Sequence, residues 1–203
     1  MPEVGRPRAF DAEAAVAAAL PLFWQQGYEG TSLAQLRTVM GISSASFYSA
    51  FKSKEAMFKR VIERYIAGPG SVTNVVGDVN LGGRDAVAQL LHNSIAMQTA
   101  SGHPKGCLIA LSATVGGASV PESAQRAVAD QRARDRERIR QCVERAVNCG
   151  ELIPNTDVVG LTAVIHGFLL GISTQVRDGV APKDLNGAAD ALLMAWDALT
   201  PGT

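Results

Sequence analysis

The fold is decided by one short segment, residues 31–51, which reads TSLAQLRTVMGISSASFYSAF. Ser32 and Gln35 have the spacing of a capping box, in which two side chains satisfy free backbone N–H groups at the start of a helix. Gly41 ends this helix because glycine enters a left-handed turn without steric cost, and Ser43 is suited to begin the next one. The segment therefore predicts two short helices joined by a tight turn, the arrangement of a helix-turn-helix.

The outer face of the second predicted helix is small and polar. A short helix enters the DNA major groove, about 12 Å wide, most easily when its side chains let backbone and hydroxyl groups approach the base edges. The small outward-facing residues are Ser44, Ala45, Ser46 and Ser49. Tyr48, Lys52 and Lys54 lie at the margins, where they are suited to hold phosphates. The same spacing also fits an ordinary helical hairpin with a solvated serine face.

Capped amphipathic helices flank this segment on both sides. Asp11 is a good N-cap for an apolar stripe that reaches Trp24, and another stripe ends at Tyr65, before the helix-stopping residues 67–70, AGPG. We therefore expect an all-α fold in two parts, an N-terminal helical domain that holds the helix-turn-helix and a C-terminal helical domain. The expected domains are residues 1–68 and 69–203.

The composition is that of a folded protein without an excess of either charge. Hydrophobic residues make up 47% of the chain and charged residues 19%, which excludes intrinsic disorder. Residues 1–68 hold 8 Lys and Arg against 6 Asp and Glu, a local charge of +2 in a chain whose formal net charge is zero. Any binding to nucleic acid must therefore depend on a local group of positive charges and not on the net charge of the chain. Three cysteines without framework spacing favour a reducing compartment.

Several short motifs, all in one order, resemble the signature of TetR-type (tetracycline-repressor-like) bacterial regulators. They are Gly30-Thr31-Ser32-Leu33, Gly41-Ile42-Ser43, Ser46-Phe47-Tyr48 with Phe51, Ser53-Lys54-Glu55, Arg6-Pro7-Arg8 and residues 23–28, FWQQGY. The resemblance covers roughly residues 5 to 66. It implies a homodimeric transcriptional regulator, usually a repressor, that binds double-stranded operator DNA and is released from it by a small molecule. In such a regulator an N-terminal three-helix DNA-binding domain with the helix-turn-helix precedes a C-terminal helical effector and dimerisation domain.

The resemblance also implies roles for individual residues. Thr31 and Ser32 would contact phosphate, and Arg6 and Arg8 would form a basic arm. The residues that would face bases are Ser43, Ser44, Ala45 and Ser46, and those that would grip the DNA backbone are Tyr48, Lys52 and Lys54. The chain departs from the pattern at two positions: Arg37 stands where a small residue is common, and Ser49 where His or Tyr is frequent.

The last two predicted helices, within residues 158–172 and 188–199, are the most apolar. Chiefly the resemblance implies that they form a four-helix bundle with a second subunit, whereas burial inside one subunit is the alternative. The predicted interface residues are Leu161, Val164, Gly167, Phe168, Gly171, Leu192 and Trp196. Because the apolar run 158–173 is shorter than the roughly 20 residues of a spanning helix, we expect no membrane insertion and a cytoplasmic location.

Helix faces in the C-terminal half suggest an effector pocket. Its predicted lining is Leu91, Ile95, Gln98, Cys107, Leu111, Cys142 and Phe168. Cys107 also allows a thiol- or metal-responsive regulator, since a helix start and nearby cations lower the pKa of a thiol. His166 is expected in the core or the pocket, and the charged residues 131–140 on a solvated, partly paired helix face.

Two alternatives to a regulator have a different kind of function. One is an all-helical enzyme or small-molecule carrier, and the other is a helical scaffold protein. The sequence has no glycine-rich phosphate loop, no metal-ligand cluster and no nucleophile–base pair with meaningful spacing. We therefore expect no enzyme activity and no cofactor.

Overall fold

The computed structural model describes residues 11–112 and 120–202, which form helices without a strand. The expected all-α fold is confirmed. The N-terminal helices are α1 (Ala12–Gly30), α2 (Leu33–Met40), α3 (Ser44–Phe51) and α4 (Lys54–Ala67). A 3₁₀ segment (Pro69–Gly77) follows, and the later helices are α5 (Gly83–Thr99), α6 (Leu108–Leu111), α7 (Glu122–Asn148), α8 (Val158–Arg177) and α9 (Pro182–Asp197).

The boundaries of the helix-turn-helix are set by the residues that the sequence singled out. Ser32 accepts a hydrogen bond from the backbone N–H of Gln35, whose side chain accepts one from the N–H of Ser32, so the capping box is present. Gly41 ends α2 with a φ of 64°, in the left-handed region that glycine enters freely. The capping box thus fixes the start of α2, and Gly41 fixes the turn that separates α2 from α3.

The N-terminal helices share an aromatic core that extends into the second half of the chain. Phe23 lies with its ring centroid 5.0 Å from that of Phe58, and Phe47 and Phe51 of α3 are buried in the same cluster. Leu108 and Ile109 of α6 belong to it as well, as do two residues from the first turns of α7. The N-terminal helices therefore pack on α6 and α7 through α1 and α4.

A second core joins α5, α7, α8 and α9. Glu151 stabilises the start of α5, because its carboxylate accepts the N–H of Gly83 at 2.7 Å and that of Arg84 at 2.6 Å. Trp196 is fully buried in this core. A Cβ atom at Gly83 would lie 3.0 Å from its ring, so the glycine allows the indole to pack this closely.

Helix α8 is longer than the sequence pattern indicated, at 20 residues. By length and composition alone it is long and apolar enough to cross a membrane. One face of α8, however, packs into the second core through residues that include Ile165, Leu169 and Ile172. A core helix of a folded domain meets the same criterion, so this feature is weak support for a membrane span.

Candidate nucleic-acid interface and effector cavity

Helix α3 is held at its start by two serines. The Ser43 hydroxyl accepts the backbone N–H of Ser46 at 3.1 Å, and the two hydroxyl oxygens lie 3.0 Å apart. Phe47 and Phe51 anchor the helix from below, since both are buried. The helix therefore has one face fixed in the core and the opposite face available to a partner.

The predicted base-reading residues all lie on that opposite face. The exposed residues are Ser43, Ser44, Ala45, Ser46, Tyr48 and Ser49. Tyr48 is the bulkiest of them, with half of its surface exposed, and its ring packs edge-on against Phe47 at 5.6 Å. Small residues are thus flanked by one aromatic hydroxyl on an exposed helix face, and a DNA major groove is wide enough to admit an α-helix.

The two predicted lysines stand beyond the end of α3 and are positioned by contacts within the protein. Lys52 is exposed, has a φ of 67°, and its Nζ donates to the carbonyl oxygen of Ser49 at 3.1 Å. Lys54 is half-buried, with its Nζ 4.3 Å from the centroid of the Tyr28 ring. Burial lowers the pKa of Lys54, although the nearby Glu29 opposes this effect. The side chain of Lys52 is therefore more exposed to solvent than that of Lys54.

One predicted phosphate contact does not fit the structure. The Thr31 side chain is fully buried, and its hydroxyl donates to the carbonyl oxygen of Gly27 at 2.8 Å. Thr31 closes the turn between α1 and α2, so its hydroxyl cannot reach DNA. Ser32 is exposed, with its hydroxyl engaged in the capping box. Arg6 and Arg8 lie outside the described residues.

The predicted dimer residues separate into two groups. Val164 and Gly167 are exposed on α8, while Leu161, Phe168 and Gly171 are half-buried. Leu192 and Trp196 are buried within the subunit, Trp196 completely. The prediction for Trp196 is therefore corrected: it anchors α9 onto Gly83 of its own chain. Sequence reasoning missed two large exposed apolar residues, Val159 on α8 and Met194 on α9.

A cavity lies between α4, the 3₁₀ segment, α5, α6, α7 and α8. Two of the seven predicted pocket residues, Gln98 and Cys107, line it. The other five predictions are corrected. Leu91, Ile95 and Cys142 are packed inside the second core, and Phe168 packs against that core from outside. Leu111 lines a separate cleft beside Trp24 and Arg177.

The cavity contains a polar cluster that the sequence reasoning missed. Asp135 accepts hydrogen bonds at one oxygen, Oδ1, from Thr73 and from Gln131, both at 3.0 Å. Burial raises the pKa of Asp135, against the opposing effects of Thr73, Arg138, Gln131 and Arg134. Gln131 and Asp135 are buried, which corrects the expectation that residues 131–140 form only a solvated face.

A signal for this cluster was present in the sequence. Buried positions recur along α7 at steps of three and four residues, at Val128, Gln131, Asp135, Ile139 and Cys142. The buried face of α7 continues through the charged residues 131–140. The spacing therefore predicts that Asp135 is buried, although a charged side chain by itself would predict exposure.

Two polar atoms at the cavity wall, the Ser94 hydroxyl and Nε2 of His166, have no hydrogen-bond partner, whereas the Tyr65 hydroxyl pairs with the Cys107 thiol. Burial is the main cause that raises the pKa of Tyr65, and the neighbouring Cys107 adds to it. The pKa of His166 is lowered by burial and then by Arg136 and Arg132. Tyr65 and His166 are therefore both neutral groups near pH 7.

Cys107 does not have the environment of a reactive thiol. It lies at the start of α6, which has four residues, and burial raises its pKa above the ordinary value. The expectation of a thiol activated by a helix start and nearby cations is therefore corrected, since a protonated thiol is a weak nucleophile. Within the described ranges, no group of three or more His, Cys, Asp and Glu residues is arranged to hold a metal ion.

Two family models together match most of the chain. Residues 15–61 match bacterial regulatory proteins of the tetR family, and residues 83–192 match the tetracyclin repressor-like C-terminal domain. The chain belongs to the TetR family. The helix-turn-helix interpretation of residues 31–51 is thereby confirmed, and the ordinary helical hairpin is set aside.

Individual relatives agree with this assignment. The transcriptional repressor ComR of Escherichia coli K12 is 29% identical over 200 residues, which cover 96% of this chain and 93% of ComR. The repressor BdcR of the same organism is 32% identical over 108 residues, 52% of this chain and 53% of BdcR. This TetR-family chain is therefore similar to the repressor ComR over nearly its whole length and to BdcR over about half of it.

Solved structures extend the comparison to three dimensions. A cysteine mutant of the TetR-family regulator CifR, in complex with 26-base-pair operator DNA, has a TM-score of 0.84 at 35% identity, with 94% of this chain and 100% of that chain covered. Reduced NemR of Escherichia coli has a TM-score of 0.75 at 20% identity, over 94% and 98% of the two chains, which is a likeness of fold. The protein is a DNA-binding transcriptional regulator with a TetR fold.

Proposed function

We propose that this protein is a dimeric cytoplasmic repressor that leaves its operator when a small molecule occupies the cavity, and that it has no catalytic activity of its own. One observation carries the proposal: Tyr65 belongs both to the core of the helix-turn-helix region and to the cavity wall. A molecule that contacts Tyr65 can therefore bias the position of α4 and of the helices packed on it.

The proposed DNA contacts come from the exposed face of α3 and its margins. Ser43, Ser44, Ala45 and Ser46 approach the bases, and Ser49 lies beside them. Tyr48, Lys52 and Lys54 hold the DNA backbone, with Ser32 at the start of α2 and with Arg6 and Arg8 as a basic arm. Base contacts specify the operator, whereas phosphate contacts set the orientation of the protein.

The proposed dimer interface is the exposed apolar face of α8 and α9, which includes Val159, Val164 and Met194. Large exposed apolar side chains on two neighbouring helices point to an interaction surface. A two-fold axis through it presents two copies of α3, and two reading helices roughly 34–36 Å apart meet successive major grooves on one side of the duplex. Dimerisation also doubles the modest positive charge of the reading region.

Release follows from different affinities of the effector for two arrangements of the dimer. A molecule that binds more tightly to the arrangement whose reading helices do not match adjacent grooves shifts the population toward it. A molecule with equal affinity for both arrangements would release no DNA.

The test is a selection of bound duplexes from genomic fragments with the purified protein and two matched variants. Ala45→Glu places a negative charge on the exposed face of α3, and Ala129→Glu places the same charge on the exposed side of α7. We expect the wild type and Ala129→Glu to enrich the same fragments and Ala45→Glu to enrich none. Enrichment of the same fragments by Ala45→Glu would show that the exposed face of α3 does not contact DNA.

A further inference from the structure

We propose that Tyr28 is a positioning residue for DNA binding: its aromatic ring holds the ammonium group of Lys54 at the start of α4, where that group meets a phosphate of the duplex. This inference rests on the proposed function, because Lys54 is one of the proposed contacts to the DNA backbone. Tyr28 acts through Lys54 and needs no contact with DNA of its own.

The ring of Tyr28 is fixed by the protein around it. It stacks on the ring of Phe23 with an angle of 19° between the planes, and it meets the ring of Phe58 edge-on with the centroids 5.2 Å apart. Gly27 interrupts α1 directly before it with a φ of 71°. The Thr31 hydroxyl holds this turn, because it donates to the carbonyl oxygen of Gly27 at 2.8 Å. Both the ring and the backbone that carries it are therefore held in place.

The ammonium group of Lys54 lies over the face of that ring. Its Nζ is 4.3 Å from the ring centroid, a distance at which the electrons of an aromatic face attract a cation. Burial lowers the pKa of Lys54, so the ammonium is partly withdrawn from water, and a cation–π contact is stronger for a cation that has lost part of its hydration. The contact therefore favours one position of a side chain that is otherwise flexible.

This position suits an anion better than it suits the helix. The Ser53 hydroxyl accepts the backbone N–H of Ala56 at 3.0 Å, so Lys54 is the first residue of α4. A cation in the first helical turn is unfavourable, because the helix dipole has its positive end there, whereas a phosphate at the same end is favoured. An ammonium group has three N–H donors, and the ring covers one side of it, so the other side can donate to phosphate oxygens.

A lysine that is already held costs less to bind. A long side chain loses rotamer freedom when an interface immobilises it, and the loss is smaller when the free protein has ordered the side chain beforehand. The ring of Tyr28 therefore increases the affinity for DNA by preparing Lys54, without adding a contact of its own.

The experiment is a double-mutant cycle on the full-length protein. Tyr28→Leu, Lys54→Gln and the double variant are titrated with a fluorescent duplex of random sequence, because phosphate contacts do not depend on sequence. We expect Tyr28→Leu to weaken binding about two- to tenfold for each subunit, the effect of ordering one side chain. In the Lys54→Gln background the same substitution should have no further effect. Losses that add in the double variant would overturn the inference.

Two further variants distinguish positioning from a general effect on the fold. Tyr28→Phe keeps the ring and should recover most of the affinity that Tyr28→Leu loses. In the Lys52→Ala background Tyr28→Leu should retain its full effect, because Lys52 is held by the carbonyl oxygen of Ser49 and not by this ring. A substitution that only loosened the fold would weaken binding in both lysine backgrounds, and that result would contradict the proposal.

Nuclear magnetic resonance of the protein without DNA separates the inference from the proposed function. Protons above an aromatic face are shifted upfield, so the ε-methylene signals of Lys54, assigned by their loss in Lys54→Gln, should lie upfield of those of Lys52. The shift should persist in Tyr28→Phe. Unshifted signals in the wild type would overturn the inference and leave the contact between Lys54 and DNA standing. If Lys54→Gln instead binds DNA as the wild type does, the proposed phosphate contact fails and the positioning role fails with it, although the upfield shift remains.

Discussion

The indole nitrogen of Trp24 donates a hydrogen bond to the carbonyl oxygen of Gly106 at 2.9 Å, across 82 positions of the chain. The backbone N–H of Gly106 in turn donates to the carbonyl oxygen of Gln98, a cavity residue, at 3.1 Å. Arg177 at the end of α8 donates to the carbonyl oxygen of Trp24 at 2.9 Å. The first helix is thus tied by its tryptophan to the elements that surround the cavity.

The first prediction concerns this hydrogen bond. Trp24→Phe keeps an aromatic ring but leaves the Gly106 carbonyl oxygen without its donor, which costs about 1–3 kcal/mol for a buried group. Trp196→Phe is the matched control, because Trp196 is equally buried and its Nε1 has no partner. We expect urea unfolding to show that Trp24→Phe is the more destabilising. Equal losses would mean that the hydrogen bond contributes nothing.

The second prediction separates two serines of α3. Ser43→Ala removes the helix cap and should lower the free energy of unfolding by about 1 kcal/mol, whereas Ser44→Ala should leave it unchanged because Ser44 is exposed. Selection on randomised duplexes should show an altered sequence preference for Ser44→Ala. An unchanged preference would place Ser44 away from the bases.

The third prediction concerns salt. Lys52 is exposed at the end of α3, so Lys52→Ala should weaken binding to operator and random DNA alike. It should also reduce the slope of log Kobs against log salt by about 1 for each subunit, since one fewer phosphate is neutralised. Titrations at several salt concentrations measure the slope. A loss confined to the operator would make Lys52 a base contact instead.

The fourth prediction concerns the dimer. Val164→Asp on α8 puts a charge into the proposed interface and should convert the dimer to a monomer. Val79→Asp is the matched control, because Val79 is also exposed but lies in the turn before α5. Analytical ultracentrifugation should show a lower mass for Val164→Asp alone. A dimer that survives Val164→Asp would assign the interface to another surface.

The fifth prediction concerns pH. Since burial raises the pKa of Asp135, the folded state binds this proton more tightly than the unfolded state does. The associated stability is fully present below the ordinary pKa of 3.8 and is lost as pH rises through the folded-state value. The free energy of unfolding of Asp135→Asn, relative to wild type, should therefore increase from acidic pH to pH 7. Asp130→Asn, an exposed residue on the same helix, is the control, and an equal trend in both would contradict the prediction.

The helix boundaries in residues 31–51 could be predicted from the sequence because they depend on side chains only a few positions away. Ser32 with Gln35, Gly41 and Ser43 act over three or four residues, and each begins or ends a helix where the pattern placed it. The 3₁₀ segment after Gly68 was not predicted, and α9 begins at Pro182, earlier than its apolar residues indicated. Proline fits the first helical turn, where a missing N–H has no cost.

The sequence by itself determined the capped helices, the serine face of α3 and the membership in a regulator family. Only the tertiary structure decided that Thr31 and Trp196 are interior residues and that Tyr65, Ser94, Asp135 and His166 meet around one cavity. The physical reason is range: caps and turns depend on neighbours along the chain, whereas a cavity depends on which distant helices pack together and on the partners that their polar atoms find there.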